Sequence, residues 1–242
     1  LLKKVYSVSS ITHKESRKTP PPPFITSTLQ QEASRKLNLS PSRTMRLAQQ
    51  LYEGIDVGQG PVGLITYMRT DSVHLSKLAL HDAKNIIVEK FGTEYGLNRA
   101  RVYKNKVKNA QEAHEAIRPT DLSRTPKSLT SHLSEDLLSL YKLIWNRCVA
   151  SQMAQSVWDT QTIMIASKDG KDQFKATGSV LVFPGYLKVL NETRQEMLLP
   201  SLEINEALSL QELKPQQHFT QPPPRYTEAS LIKSLEGYGI GR

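Results

Sequence analysis

The sequence predicts an α+β fold in which a helical domain is inserted into a β-rich one, with a further helical domain beginning near the C-terminus. Three features carry this expectation. Apolar residues recur at helical spacing through the middle of the chain and change to alternation after Val157, a switch from period 3.6 to period 2. An alternating stretch at Val5 to Thr12 stands alone before the helices, so its sheet partners must come after them. Two proline runs, Pro20 to Pro23 and Pro222 to Pro224, fix φ and remove backbone donors, which makes each an extended junction. The implied division is a β-rich domain in two parts, 1–25 and 155–220, around a helical domain at 26–154, with 221–242 opening another helical domain.

A chain of 242 residues has ample material for a buried core. Its 32 Lys and Arg against 23 Asp and Glu leave a formal charge of +9, which points to a polyanionic partner, with nucleic acid the first candidate. Cys148 is the single cysteine, which excludes an internal disulfide and a cysteine-cluster zinc site and fits a reducing compartment. No apolar run approaches the roughly 20 residues of a membrane span, and no signal-peptide pattern opens the chain. A soluble intracellular protein without a membrane partner is therefore expected. The chain opens Leu1-Leu2-Lys3-Lys4 without Met and closes Gly239-Ile240-Gly241-Arg242, and both ends are expected to be cuts through a longer protein.

Taken in order, Val5 to Thr12 reads as a strand and Lys14 to Lys18 as a basic polar stretch leading into the first proline junction. Thr26 or Ser27 can cap a helix to about Leu37, and Ser40-Pro41 starts the next, in which Met45, Ala48, Tyr52 and Ile55 lie on one stripe. Gly54 to Gly63 forms a loop into Leu64 to Met68, which reads as a buried strand. Helix, helix, strand fits a winged-helix-like unit, although other small α/β arrangements share that order.

The stretch Gly63-Leu64-Ile65-Thr66-Tyr67-Met68-Arg69-Thr70-Asp71-Ser72 passes abruptly from apolar residues to a cluster of reactive groups. A tyrosine hydroxyl attacks phosphorus only as it becomes phenolate, and an unperturbed tyrosine titrates near about 10, so a cation must favour the charged form. Arg69 is two residues from Tyr67, on the same face of a strand. By itself the pair is better explained by a core aromatic with a snorkelling neighbour.

Ser76 can cap a helix to about Phe91, closed by Gly92 and Gly96. Arg99, Arg101, Lys104, Lys106 and Lys108 follow with no acidic residue among them, either as a solvated loop or as a surface facing phosphates. In Gln111-Glu112-Ala113-His114-Glu115-Ala116-Ile117-Arg118-Pro119-Thr120, a helical turn would bring His114 and Arg118 to one face, where both can grip a phosphate. Glu112 and Glu115 beside His114 are too few for a metal site, and no metal ligand is assigned.

Ser134 begins a helix to about Gln152 whose apolar stripe includes Cys148, which makes that thiol a packing residue. Alternation on either side of a turn at Lys168 to Asp172 predicts a β-hairpin, and Tyr186 to Leu190 and Leu208 to Leu213 read as further strands. After Pro222 to Pro224, Thr227 caps a last helix, and Arg225 and Arg242 are candidate phosphate contacts.

Ile65-Thr66-Tyr67-Met68-Arg69-Thr70-Asp71-Ser72 resembles the active-site motif of type IA DNA topoisomerases. Residues 24–33, 111–120 and 221–233 are similar to other signatures of that family, and Met68 leans toward its bacterial topoisomerase I branch. The resemblance spans nearly the whole chain but only the middle of a complete family member. It implies a CAP-like helical domain carrying the catalytic Tyr67 and inserted into a β-rich arch. It also implies cleavage and rejoining of one DNA strand through a 5′-phosphotyrosine, relaxing negative supercoils without ATP. Arg69 and His114 would be catalytic, with Arg118, Arg99, Arg101, Lys104, Lys106, Arg225 and Arg242 contacting single-stranded DNA. Mg²⁺ is implied as cofactor on an acidic Asp-x-Asp-x-Glu cluster of a separate Toprim domain, and this sequence contains no Asp-x-Asp. The 242 residues alone are therefore expected to be inactive. A monomer is expected, in the cytoplasm with the nucleoid, or in an organelle if the host is eukaryotic. The alternatives are a catalytically silent single-strand-binding module that retains the motif, and a tyrosine recombinase, whose tyrosine would follow rather than precede the Arg and His set.

Overall fold

The computed structural model describes residues 4–58, 60–104, 115–191 and 196–240. It is a mixed α/β chain in two compact units, Leu1–Thr19 with Gln155–Pro223, and Pro20–Ala154 with Pro224–Arg242. The sequence division at 25/26, 154/155 and 220/221 thus stands beside unit limits at 19/20, 154/155 and 223/224, and the last helix clusters with the helical unit.

The β unit is an antiparallel sheet in the order β5-β4-β1-β6, with β1 Tyr6–Lys18, β4 Ser156–Ser167, β5 Gln173–Phe183 and β6 Ala207–Leu208. β1 pairs with β4 from Tyr6↔Ser167 to Lys18↔Ser156, so the early strand joins sheet formed more than a hundred residues later. It also runs on through the basic polar stretch Lys14 to Lys18, past the Val5 to Thr12 segment read as the strand. The long β4 supplies a backbone partner throughout, and the polar side chains of this stretch stand largely exposed. Tyr6, Val8, Trp158 and Ile163 are buried in this unit, with the Tyr6 ring edge-on to Phe174 at 5.5 Å.

Two expected strands differ. Tyr186 to Leu190 is not a strand but ends in a short helix, α5 (Leu187–Leu190). Gly185 takes φ +51, and the Leu187 and Lys188 N–H groups fold back onto the Pro184 and Gly185 carbonyls, so local turn bonds replace ladder bonds. Of Leu208 to Leu213 only Leu208 is paired, because β6 meets β1 only at Tyr6 and Ser7.

In the helical unit, α1 (Thr26–Leu37) and α2 (Pro41–Glu53) precede a two-residue hairpin of β2 (Ile55–Asp56) and β3 (Pro61–Val62), followed by α3 (Lys77–Phe91), α4 (Glu135–Ser151) and α6 (Glu228–Gly237). The caps of α2, α3 and α6 are local: Ser40, Ser76 and Thr227 accept from Arg43, Ala79 and Ser230 N–H. α1 departs from expectation. Its N-cap is Ile25, which has no side-chain acceptor, and the Thr26 hydroxyl is committed elsewhere. α4 carries Glu135 and Asp136 in its first turn, where the helix dipole favours them, and is buried through Tyr141, Ile144, Trp145, Cys148 and Val149. Helices and core serve here to hold the stretch around Tyr67.

Candidate active site

Three stretches of the helical unit converge on Tyr67: the end of the proline junction, the segment after β3, and residues 115–120. The approach begins at Gly63, where an added Cβ would stand 2.7 Å from the Tyr52 carbonyl oxygen, so the chain passes α2 this closely only without a side chain. Leu64 N–H then donates to Leu51 O at 2.7 Å. On the opposite side Thr66 N–H donates to Arg118 O at 2.9 Å and Thr120 N–H to Leu64 O at 3.0 Å. The expected strand at Leu64 to Met68 is reduced to one antiparallel bridge, Ile65 to Pro119, because the donors that would extend the ladder are used elsewhere, Leu64 N–H on Leu51 O and Arg118 N–H on Thr66 Oγ1 at 3.0 Å.

The two-residue alternation outlasts the bridge. Met68 is fully buried and Thr70 and Ser72 nearly so, while Tyr67 is 46% exposed and Arg69 is exposed. The Tyr67 ring rests edge-on against Tyr52 of α2, with centroids 5.3 Å apart. Arg69 makes no ion pair among the described residues. A phenol and a free guanidinium thus stand outward on either side of a buried methionine, both open to a ligand.

Segment 115–120 is extended, not helical. Ala116 N–H donates to His74 O at 2.8 Å, and Ile117 bridges Phe24 through an N–H to carbonyl bond of 2.8 Å. Arg118 is consequently not an open phosphate clamp. Its side chain is 13% exposed, one Nη donates to Glu115 at 2.6 Å and the other to its own Pro119 carbonyl at 2.8 Å. The second Glu115 oxygen accepts from Ser76 N–H at 2.7 Å. Burial opposes ionisation of Glu115, but Arg118 and Ser76 together hold its carboxyl below the usual range. His114 and Lys106 lie outside the described residues, as does Arg242.

Of the remaining expected DNA contacts, Arg99, Lys104 and Arg225 are exposed and free of ion pairs among the described residues. Arg101 turns inward, with its Nη1 bonded to the Ser151 and Met153 carbonyls at 2.8 and 2.9 Å, where it satisfies the C-terminal end of α4. Burial pushes the Cys148 thiol up to about 12, as befits core packing. Beneath Phe24, Arg147 stacks 4.2 Å from the ring and pairs with the buried Glu32 at 3.3 Å. The sequence assigned no site role to Thr26, Thr66, Tyr52 or Glu115, marking Thr26 only as a candidate helix cap and Glu115 only as an insufficient metal ligand. Tyr52 carried a signal as the aromatic at the end of the α2 stripe, and Thr26 one that pointed to capping instead.

Among the described residues no three His, Cys, Asp or Glu side chains group as a metal site requires, so the residues here do not fit Mg²⁺ and no step is drawn through it. No helix is long and apolar enough to cross a membrane among the described residues. A cavity of about 450 Å³ lined by Lys90, Pro126, Lys127, Lys142 and Trp145 shares no residue with the Tyr67 stretch.

A protein-family model described as DNA topoisomerase matches residues 1–242. The DNA topoisomerase 1 of Rickettsia felis is 49% identical over 243 residues, covering 98% of this chain and 31% of the relative. That of Helicobacter pylori is 48% identical over 242 residues, covering 100% of this chain and 33% of its own length. The structure of full-length topoisomerase I from Thermotoga maritima is similar with a TM-score of 0.84 at 40% identity, over 99% of this chain and 38% of that one. The chain therefore spans about a third of the length of the curated relatives it matches.

Proposed function

Because the chain belongs to the DNA topoisomerase family, we propose that it is the tyrosine-bearing part of a type IA enzyme that cleaves and rejoins one DNA strand. The Tyr67 oxygen attacks a phosphodiester, a phosphotyrosyl bond forms at the 5′ phosphate, and the 3′ oxygen leaves as a hydroxyl after gaining a proton. The reverse attack by that hydroxyl restores the strand and frees the tyrosine. The bond energy is kept in the linkage, so no ATP is needed. Arg69 stabilises charge on the phosphoryl oxygens and His114 contacts the same phosphate. Arg99, Lys104 and Arg225 hold the single strand, while Arg118 and Arg101 support the backbone.

The observation that carries this is the outward pairing of Tyr67 with an Arg69 free of ion pairs, on backbone pinned at Leu64, Thr66 and Thr70. The finer domain reading belongs to the same proposal. The two helices and short hairpin before Tyr67 support a winged-helix-like unit set within a β-rich arch. A cytoplasmic monomer acting at the nucleoid follows from it. The full gene product should form a covalent adduct with a single-stranded oligonucleotide. Tyr67→Phe should abolish that adduct and Tyr238→Phe, at a 79% exposed tyrosine, should retain it. An undiminished adduct in Tyr67→Phe removes Tyr67 as nucleophile.

A further inference from the structure

The backbone on each side of Tyr67 is fastened by a threonine hydroxyl. Before it, Thr66 Oγ1 donates to Ala116 O at 2.7 Å and accepts from Arg118 N–H at 3.0 Å. After it, Thr26 Oγ1 donates to Met68 O at 2.7 Å and accepts from Thr70 N–H at 2.9 Å, while Thr26 N–H donates to Thr70 O at 3.0 Å. We propose that Thr26, at the first turn of α1, is a positioning residue that fixes the direction in which Tyr67 meets the phosphate. This rests on Tyr67 being the nucleophile.

The two fastenings are not equivalent. On the Thr66 side the backbone bonds Thr66 to Arg118 and Thr120 to Leu64 would survive loss of the hydroxyl. On the far side only the Thr26 N–H to Thr70 O bond would survive, and the Met68 carbonyl and the Thr70 N–H would each lose the one bond described for them. A hydroxyl has one proton and two lone pairs, and both functions are in use here, which a methyl group of the same size cannot replace. The helix gives this hydroxyl up. α1 has no side-chain N-cap although Thr26 and Thr28 stand at its start, and Thr28 closes only onto Ile25, accepting its N–H at 3.0 Å. An ordinary capping residue has been diverted to the segment between Tyr67 and Ser72. In-line displacement depends on where the phenol oxygen lies, and an error of about 1 Å costs on the order of 100-fold in rate.

The test is single-turnover cleavage of a single-stranded oligonucleotide by the full gene product, at saturating oligonucleotide, with its Kd measured in parallel. Thr26→Val should cleave about 100-fold more slowly with Kd changed by no more than about twofold, since the loss is of alignment and not of binding. Thr26→Ser, which keeps both hydrogen-bond functions, should restore the rate to within about threefold of the parent. Thr44→Val is the control, because it removes a buried hydroxyl bonded to Ser40 O at 3.0 Å within α2, and it should cleave normally. If the valine variant does not fold, Thr26→Ala is read in its place. The inference is overturned if the hydroxyl-free variant cleaves at the parental rate, if serine fails to rescue, or if Thr44→Val slows as much. Tyr67→Phe run alongside separates the failures. A surviving adduct there removes the nucleophile and this inference together, whereas a lost adduct with normal cleavage by Thr26→Val removes this inference alone.

Discussion

Glu115 uses both carboxylate oxygens, one on the N–H that opens α3 and one on Arg118, and so joins the stretch after Tyr67 to the stretch after His114. Each bond involves a charged group, and the side chain is three-quarters buried, so Glu115→Gln should destabilise the fold by about 1.5–3 kcal/mol. The sign with pH follows from its depressed carboxyl. The stabilisation is fully present above the ordinary glutamate value near about 4.3 and is lost as pH falls through the lower folded value. Chemical denaturation from pH 7 downward should therefore show the parent losing stability below about pH 5 and converging on the glutamine variant, whose own curve lacks this component. A constant gap between the two would refute the assignment. The motif around Tyr67 was legible in the sequence because it is contiguous. Glu115 and Thr26 were not, because their partners lie 39 and 44 positions away and nothing local marks the pairing.

Helices with a Ser or Thr cap and a periodic face could be read directly, as α2, α3 and α4 show, since those signals are local. The elements that differed are those decided by tertiary partners. β1 continues through its polar end because β4 pairs with it, and the Leu64 to Met68 strand shrinks to a bridge because Leu64 N–H is taken by Leu51 O and Arg118 N–H by the Thr66 hydroxyl. The passage of that segment over α2 yields a prediction. Gly63→Ala would drive a Cβ into the Tyr52 carbonyl at 2.7 Å, with that carbonyl in the last turn of α2 and the Gly63 backbone held by Thr120 Oγ1 on its carbonyl. A cost of about 1–3 kcal/mol is expected, seen as a thermal midpoint lowered by roughly 2–10 °C for a protein of this size. Gly237→Ala in α6 meets open space and should leave the midpoint unchanged or raise it slightly. Equal midpoints for the two variants would show that the close approach at Gly63 carries no constraint.

For the whole chain, the change of period and the two proline junctions, which lie near the unit limits at 154/155, 19/20 and 223/224, were legible in the sequence. The grouping of α6 with α1 was not, because α6 buries no residue fully and its tie to α1 includes a Gln31 to Glu236 bond at 3.2 Å that no pattern announces. Charge is the other property of the whole. A formal +9 sets long-range attraction for DNA, but only cations free to meet phosphate release counterions, and the guanidiniums of Arg101 and Arg118 are engaged internally. Of the expected DNA contacts among the described residues, Arg69, Arg99, Lys104 and Arg225 remain. With about three or four phosphates neutralised, the affinity of a polypeptide of these residues for single-stranded DNA should fall roughly 20- to 50-fold between 50 and 200 mM salt. Fluorescence anisotropy of a labelled oligonucleotide measures that slope. A slope more than about twice as steep would mean that Arg101, Arg118 or other cations turn outward on binding. The same polypeptide, whose sequence offers no Asp-x-Asp, should leave negatively supercoiled plasmid unrelaxed at every Mg²⁺ concentration, because binding and a well-aimed tyrosine do not supply the missing acidic cluster. Relaxation by these 242 residues alone would show that Tyr67 and its basic neighbours suffice.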